Sequence, residues 1–381
     1  MRNRIVTIIF ILYILFFAIG SVIIKDRVFS DMENRNLAQF PKASAKSIFS
    51  GDYSDEFESY MSDQIIFKDF LVKLKVTENK ALNQTYVNGT FFAEGRYIRD
   101  YEENTAQIDK NVGFVNEFAQ MNPELNITWL MVPNASCIYK DCLPSNAVID
   151  DQRKTMEHIK DKVDESIVFV DPSEELYNAK DEYIYYKTDH HWTINGAYIG
   201  YKKLCDALKM EAVDVSEYNI SVASDDFLGT LYSDAPVFNA DKDKIIIYER
   251  KDGKYKVDYV DEGFSQDSLY NYDKLDIKDK YQVYLDGNHS IIRIYNENNK
   301  SKDKNDDGEG KSDKIIVVKD SYAHCLLPLL ADNYEEIIVV DLRYYHEKTV
   351  SDLAKEEGIS DIIFINNIDF INTDDNFLWL M

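Results

Sequence analysis

Five short apolar runs, largely β-branched, constrain this chain more than any other feature. They are Asn126–Val132 (NITWLMV), Ser166–Val170 (SIVFV), Lys314–Val318 (KIIVV), Glu336–Val340 (EIIVV) and Asp361–Ile365 (DIIFI). Each run is continuous rather than alternating, so both faces of the strand it forms must be covered. Helical patterns lie between several of them, at Thr105–Met121, Asp151–Asp164, Thr193–Leu208, Tyr322–Asn333 and Glu347–Glu357. Strand alternating with helix predicts an α/β fold, a parallel sheet with helices on both faces. Ligands bind such sheets beyond the carboxyl ends of the strands. Polar residues gather at those ends: Asn134, Asp171, Ser321, Arg343, Asn366 and Asn367.

The rest of the chain divides around this rhythm. Arg2 and Arg4 precede an uncharged apolar run from Ile5 to Ile24. About 20 residues at 1.5 Å each cross a bilayer core of roughly 30 Å. Residues 1–24 therefore read as a transmembrane anchor or a cleaved signal peptide; the run is long for the latter. Arg2 and Arg4 favour a cytoplasmic N-terminus, with Lys25 and Arg27 opposing, and the bulk of the chain extracytoplasmic. Residues 25–105 form an aromatic, polar lead-in, with a helix expected over Asp55–Lys80 and a hairpin near Thr90–Ile98. Residues 106–381 form the sheet domain. Residues 209–312 interrupt it with short strands at Lys244–Arg250, Lys254–Val260 and Ser290–Tyr295. Asn296–Lys314 is charged, contains glycine and lacks apolar residues, so it reads as a solvated loop.

Composition removes some functions. With 43 Lys+Arg against 68 Asp+Glu, the net charge is −25. A chain this acidic repels nucleic acid and anionic lipid. Its 45% hydrophobic content excludes wholesale disorder. Cys137, Cys142, Cys205 and Cys325 form no CxxC, so no zinc ribbon or thioredoxin-like motif is supported. Cys137 and Cys142 are near enough for a local disulfide in an oxidising compartment, or remain unpaired.

The sharpest local string is Thr188-Asp189-His190-His191-Trp192-Thr193, followed by a helix. A carboxylate two residues before a histidine can hold one ring nitrogen and stabilise the imidazolium formed at the other. The structural alternative is a helix cap by Thr193. A metal reading is also open, although adjacent histidines point apart unless the backbone bends. Lys319-Asp320-Ser321-Tyr322 follows a buried strand, where hydrolases present a nucleophile; a serine N-cap is the alternative. Leu285-Asp286-Gly287-Asn288-His289 offers an amide donor for an oxyanion hole, or is a hairpin turn. In Asp341-Leu342-Arg343, the arginine holds a substrate oxygen or bridges to Asp341. Aspartate, histidine and serine at one rim are what a Ser-His-Asp acyl-transfer site needs.

Asp189-His190-His191-Trp192 resembles the motif of the DHHW family. That family is related to the SGNH-hydrolase-like O-acetyltransferases of alginate and other exopolysaccharides. Glu33-Asn34-Arg35-Asn36-Leu37 with Phe40-Pro41, Gly287-Asn288-His289, Lys319-Asp320-Ser321-Tyr322 and Asp341-Leu342-Arg343-Tyr344-Tyr345 fit the same resemblance, in order along the chain. The resemblance implies an SGNH-hydrolase-like (flavodoxin-like) sheet. Its motif order is circularly permuted, since ordinary SGNH hydrolases place the serine first. It implies Ser321 as nucleophile, His191 as base and Asp189 as its orienter. His190 takes the variable place, and Trp192 packs the motif or faces sugar. Asn288, Arg343 and Tyr322 complete the expected oxyanion and substrate-binding set. Lys-Asp-Ser departs from the Gly-Thr-Ser of relatives. The implied activity is extracytoplasmic O-acetyl transfer to a cell-surface polysaccharide, without metal or cofactor. A multi-pass membrane acyltransferase partner would deliver the acetyl group. A carbohydrate esterase with the same triad, or a non-catalytic polysaccharide-binding scaffold, are the alternatives.

Overall fold

The structure is a computed structural model that describes residues 2–299 and 314–381. Most of the expected solvated loop, 300–313, lies outside the described residues. The chain forms two compact units: Met1–Asn88 with Tyr232–Ala240, and Gly89–Leu231 with Asp241–Met381.

The first unit opens on a helix, Arg2–Ile23, of which Arg4–Ile23 is long and apolar enough to cross a membrane. Ser44 then caps the helix Ala45–Ser50 through a capping box with Ser47. The single helix expected over Asp55–Lys80 is instead two, Asp52–Asp63 and Lys68–Ala81. Phe67 between them takes a left-handed backbone, φ 60°, unusual for a bulky residue. An ion network explains the break. Asp63 is buried and accepts from Arg35 Nη2 at 2.6 Å, from Lys68 Nζ at 2.7 Å and from the Ala38 N–H at 2.8 Å. Lys68 also reaches Glu33 at 2.7 Å. The turn folds Lys68 back onto Asp63, and burying both charges unpaired would cost more than one strained residue.

The second unit holds an eight-stranded sheet: β1 (Asn126–Val132), β2 (Ile167–Val170), β3 (Tyr255–Tyr259), β4 (Phe264–Gln266), β5 (Ile291–Asn296), β6 (Lys314–Lys319), β7 (Glu336–Val340) and β8 (Asp361–Asn367). The spatial order is β4-β3-β5-β7-β6-β8-β1-β2. The five strands from β7 to β2 are parallel, with Val317 of β6 opposite Val339 of β7 and Ile363 of β8. β5, β3 and β4 continue the sheet antiparallel. The sheet is therefore mixed, because the interrupting segment adds three strands to it. These strands alternate, with Asp258 facing Arg293 across the pair, as suits an edge with one solvated side.

Helices α1 (Thr105–Met121), α2 (Gln152–Lys162), α3 (Ile194–Ala207) and α4 (Val350–Glu357) cover both faces. Successive strand residues point to opposite sides. Leu130, Val132, Val317 and Ile365 pack with Ala197, Tyr201 and Leu204 of α3. Trp129, Met131, Val318 and Phe364 pack with Val115 and Phe118 of α1, Ile159 of α2 and Leu353 of α4. The helix expected over Tyr322–Asn333 is a 3-10 turn at Ser321–Cys325, one α-turn at Leu327–Leu330 and a second 3-10 turn at Ala331–Asn333. Pro328 lacks the N–H that would carry one helix through. None of the four cysteines forms a disulfide.

Candidate active site

The parallel strands put two loops side by side at their carboxyl ends. Asp320, just after β6, accepts the Tyr322 N–H at 2.8 Å, which caps the following 3-10 turn. Its other oxygen accepts the Asn367 N–H at 2.6 Å and Nδ2 at 2.9 Å, which pins the end of β8 to the same turn. Ser321, half-buried, opens that turn.

Residues 188–192 form the facing loop. Asp243 holds its base, accepting the Thr188 N–H at 2.7 Å and the Thr188 hydroxyl at 2.6 Å. Trp192 is fully buried, and its indole N–H donates to the Tyr322 carbonyl at 2.8 Å. Of the two roles expected for Trp192 it takes packing, since no face is left for sugar. Tyr322 is buried too; its hydroxyl donates to the His190 carbonyl and lies 3.3 Å from Asn134 Oδ1. The two loops are thus stitched together by their side chains.

Between them runs a hydrogen-bonded chain. His191 Nδ1 lies 2.6 Å from Asp189 Oδ1, and His191 Nε2 lies 2.8 Å from Ser321 Oγ. An ionised Asp189 can only accept, so Nδ1 carries the proton and Nε2 is free to take the serine's. Asp189 Oδ2 accepts the Thr230 N–H at 2.8 Å and its hydroxyl at 3.1 Å. Burial opposes the charge on Asp189, but the His190 and His191 rings and these donors outweigh it and hold the carboxyl well below its usual range. Tyr281 stacks on His191 at 4.0 Å and 12°, and its hydroxyl donates to the Ser321 carbonyl at 3.1 Å.

The two histidines do not point apart. The turn brings their rings to 3.9 Å, and His190 Nδ1 lies 2.6 Å from the Thr230 hydroxyl. Burial, then the neighbouring His191, pushes His190 well below the usual histidine range, with Asp189 opposing. Ligand atoms of Asp189, His190 and His191 fall within 4.8 Å of one another. Both Asp189 oxygens and the His190 Nδ1 already have protein partners, which leaves a cation few free electron pairs there.

A second network flanks the serine turn. Lys319, buried at the end of β6, donates to Asp341 Oδ2 at 2.7 Å and to His324 Nε2 at 2.9 Å. Burial pulls the lysine below its usual range while Asp341 opposes. Arg343 grips both oxygens of Asp341, at 2.8 and 2.6 Å, and donates to Asn288 Oδ1 at 3.2 Å. Arg343 is one-quarter exposed by side chain, so part of its guanidinium faces the rim. Leu285, Asp286 and Gly287 take positive φ of 54°, 63° and 90°, and this turn aims Asn288 at Arg343. Of the predicted residues, Asp189, His191, Ser321, His190, Trp192 and Tyr322 form one cluster; Arg343 and Asn288 pair with each other through the Asp341 network. Sequence reading missed Tyr281, Thr230, Lys319 and His324. Tyr281, one of the chain's 27 tyrosines, lies in the interrupting segment's irregular end, with nothing local to single it out. The one local sign of Lys319 is a charge that closes a buried apolar strand.

No curated protein sequence matches the chain. Solved structures do. A DHHW family protein from Eubacterium siraeum is 23% identical, with 77% of this chain and 95% of that one covered and a TM-score of 0.64. Bacillus cereus PatB1 with a sulfonyl adduct is 20% identical, with 77% and 98% covered and a TM-score of 0.64. These likenesses establish a shared fold. The sequence profile described as DHHW protein matches residues 76–340, well over half of the chain and across the whole stretch from Asp189 to Ser321. The chain is a member of the DHHW protein family.

Proposed function

We propose that this protein is a membrane-anchored, extracytoplasmic O-acetyltransferase acting on a cell-surface polysaccharide. The observation that carries the reading is the unbroken Asp189–His191–Ser321 chain, with contacts of 2.6 and 2.8 Å. In this reading Ser321 Oγ attacks the acetyl carbonyl of the donor while His191 Nε2 takes its proton. The Ser321 N–H, with Asn288 and Arg343 at the rim, serves the developing oxyanion. The tetrahedral intermediate collapses, the leaving group departs with the proton from His191, and an acetyl ester remains on Ser321. A sugar hydroxyl then gives its proton to His191 and attacks the ester carbonyl; as the bond to Ser321 Oγ breaks, His191 returns the proton to that oxygen and the acetylated sugar leaves. Asp189 stays ionised and keeps the imidazole in the productive tautomer. Water in place of the sugar hydroxyl would make the protein an esterase with the same residues.

The strand order supports the circular permutation. Counting the parallel strands from β6, then β7, β8, β1 and β2, the spatial order reads 2-1-3-4-5, that of flavodoxin-like sheets. Ser321 and Asn367 then stand at the switch point between the first and third strands, where such folds bind ligands. The Arg4–Ile23 helix supports the anchor. An extracytoplasmic site needs its acetyl groups exported, which is the task assigned here to a multi-pass membrane acyltransferase partner.

The test is acyl transfer from p-nitrophenyl acetate to neutral oligosaccharides. Ser321→Ala should lower nitrophenol release by roughly 10³-fold or more. Mass spectrometry should find an acetyl adduct on the Ser321 peptide, and acceptor sugar should speed its discharge. An active Ser321→Ala protein, or an adduct elsewhere, sinks the reading. Discharge indifferent to sugar would move the protein to the esterases.

A further inference from the structure

We propose that the turn Ile65–Phe67 enters the bilayer beside the anchor, so that the first unit holds the membrane at two places. The proposal rests on the anchor reading of Arg4–Ile23. The turn does not merely follow the helix; it packs against its side. The Ile66 N–H donates to the Ser21 hydroxyl at 3.1 Å. Ile66 lies so close to Gly20 that a side chain there would meet Ile66 Cδ1 at 3.0 Å. The Phe67 ring stacks with Phe16 at 6.5 Å and 18°. At 1.5 Å per residue, Phe16 lies about 10 Å inside the helix end at Ile23. Phe67 therefore sits at the depth of the leaflet on the domain's side.

The chemistry of the turn fits that depth. Ile65, Ile66 and Phe67 are apolar, and Phe67 is 58% exposed, its ring stacked on Phe16 of the helix. The charges that follow are drawn away. Lys68 turns back to Asp63 and Glu33, 2.7 Å from each. Asp69 is gripped by Arg27 at 2.8 and 3.0 Å, in the charged stretch Lys25-Asp26-Arg27 that follows the helix. Arg27 and Asp69 thus mark one level as polar on both chain segments. Non-helical backbone is tolerated near hydrocarbon only when its polar groups are served. Three of the turn's six backbone groups are served: Ser21 takes the Ile66 N–H, and the Ile65 and Phe67 carbonyls accept from the N–H groups of Lys68 and Leu71 at 3.1 and 3.0 Å. The occupant that matches is acyl chain, because the exposed ring continues the lipid-facing surface of the anchor.

The full chain, in a Cys142→Ser background with its other three cysteines buried, carries an environment-sensitive nitrobenzoxadiazole dye at single cysteines. It is reconstituted into phosphatidylcholine liposomes with or without brominated acyl chains. Phe67→Cys should show blue-shifted emission quenched by brominated lipid, as should Leu12→Cys within the anchor. Val148→Cys, at a position 92% exposed, should stay water-like. Quenching at Leu12 without quenching at Phe67 overturns the proposal and leaves the anchor standing. A blue shift at Phe67 without quenching assigns the turn to a second copy of the chain and also overturns it. No quenching at either position overturns both.

Discussion

Asp320 bears most directly on how the site responds to pH. It is buried beside the serine, and burial pushes its carboxyl up to about 6, against the N–H groups of Asn367 and Tyr322 that donate to it and favour its charged form. Its ordinary value is 3.8. Between these values the folded chain holds a proton that the unfolded chain has lost. Stability is therefore fully present below the unfolded value and falls as pH rises through the folded one, by about 3 kcal/mol in all. Asp369 shows the same upward shift to about 6, again from burial. Asp320→Asn should flatten the decline between pH 4 and 7 in denaturant titrations; an unchanged slope would mean that Asp320 is not its source. The residues of the hydrogen-bonded chain were legible because Asp189 and His191 are neighbours in sequence and their pairing needs only a local turn. Tyr281 was not, because its stack on His191 depends on where an irregular segment returns to the sheet.

At the scale of elements, the loop after the strand Tyr218–Phe227 backs the site. A Cβ at Gly229 would fall 2.2 Å from Asp189 Cβ and 2.3 Å from its Oδ2. Neither can be accommodated without moving the carboxylate. Gly229→Ala should lower turnover by about 10²-fold or more, because a displacement near 1 Å is enough to do so. Gly113→Ala, in α1 with open space around it, should leave turnover alone and stabilise the chain by roughly 0.5–1 kcal/mol. Comparing the rates of the two variants, with their melting temperatures as controls, separates a positioning effect from a general one. Four of the five strands were legible because burial on both faces leaves an uninterrupted apolar run; the fifth, Ile167–Val170, was legible as a strand but lies at the sheet edge with Val168 46% exposed, so the expected cover on both faces does not hold there. The breaks were not. The turn at Phe67 follows from an ion network whose members come from residues 33 to 68, and no local propensity encodes it.

For the whole molecule, a net charge of −25 sets the field in which a substrate arrives. Arg343, half committed to Asp341, is the cation nearest the rim in the networks around the serine. A neutral or amino-sugar acceptor meets no long-range repulsion. A polyanionic one does, and salt relieves it over a Debye length of about 8 Å at physiological ionic strength. With a neutral oligosaccharide, kcat/KM should be insensitive to salt; with an anionic one it should rise as salt is added. A rate that falls with salt for anionic acceptors would show a local basic path that outweighs the global charge.

The sequence by itself determined the α/β class, the parallel strands, the carboxyl-edge location of the polar residues and the Asp189–His191 pair. Each of these follows from periodicity or from neighbours a few residues apart. Tertiary structure alone decided that the interrupting segment joins the sheet, that Trp192 is buried against the serine turn, and that His190 and His191 face the same carboxylate. It also set the 2.8 Å meeting of His191 with Ser321. Those outcomes turn on strand order, on the bend of one loop and, for Trp192 and Ser321, on contacts across 130 residues, where the balance of burial, pairing and desolvation is settled only by the packed whole.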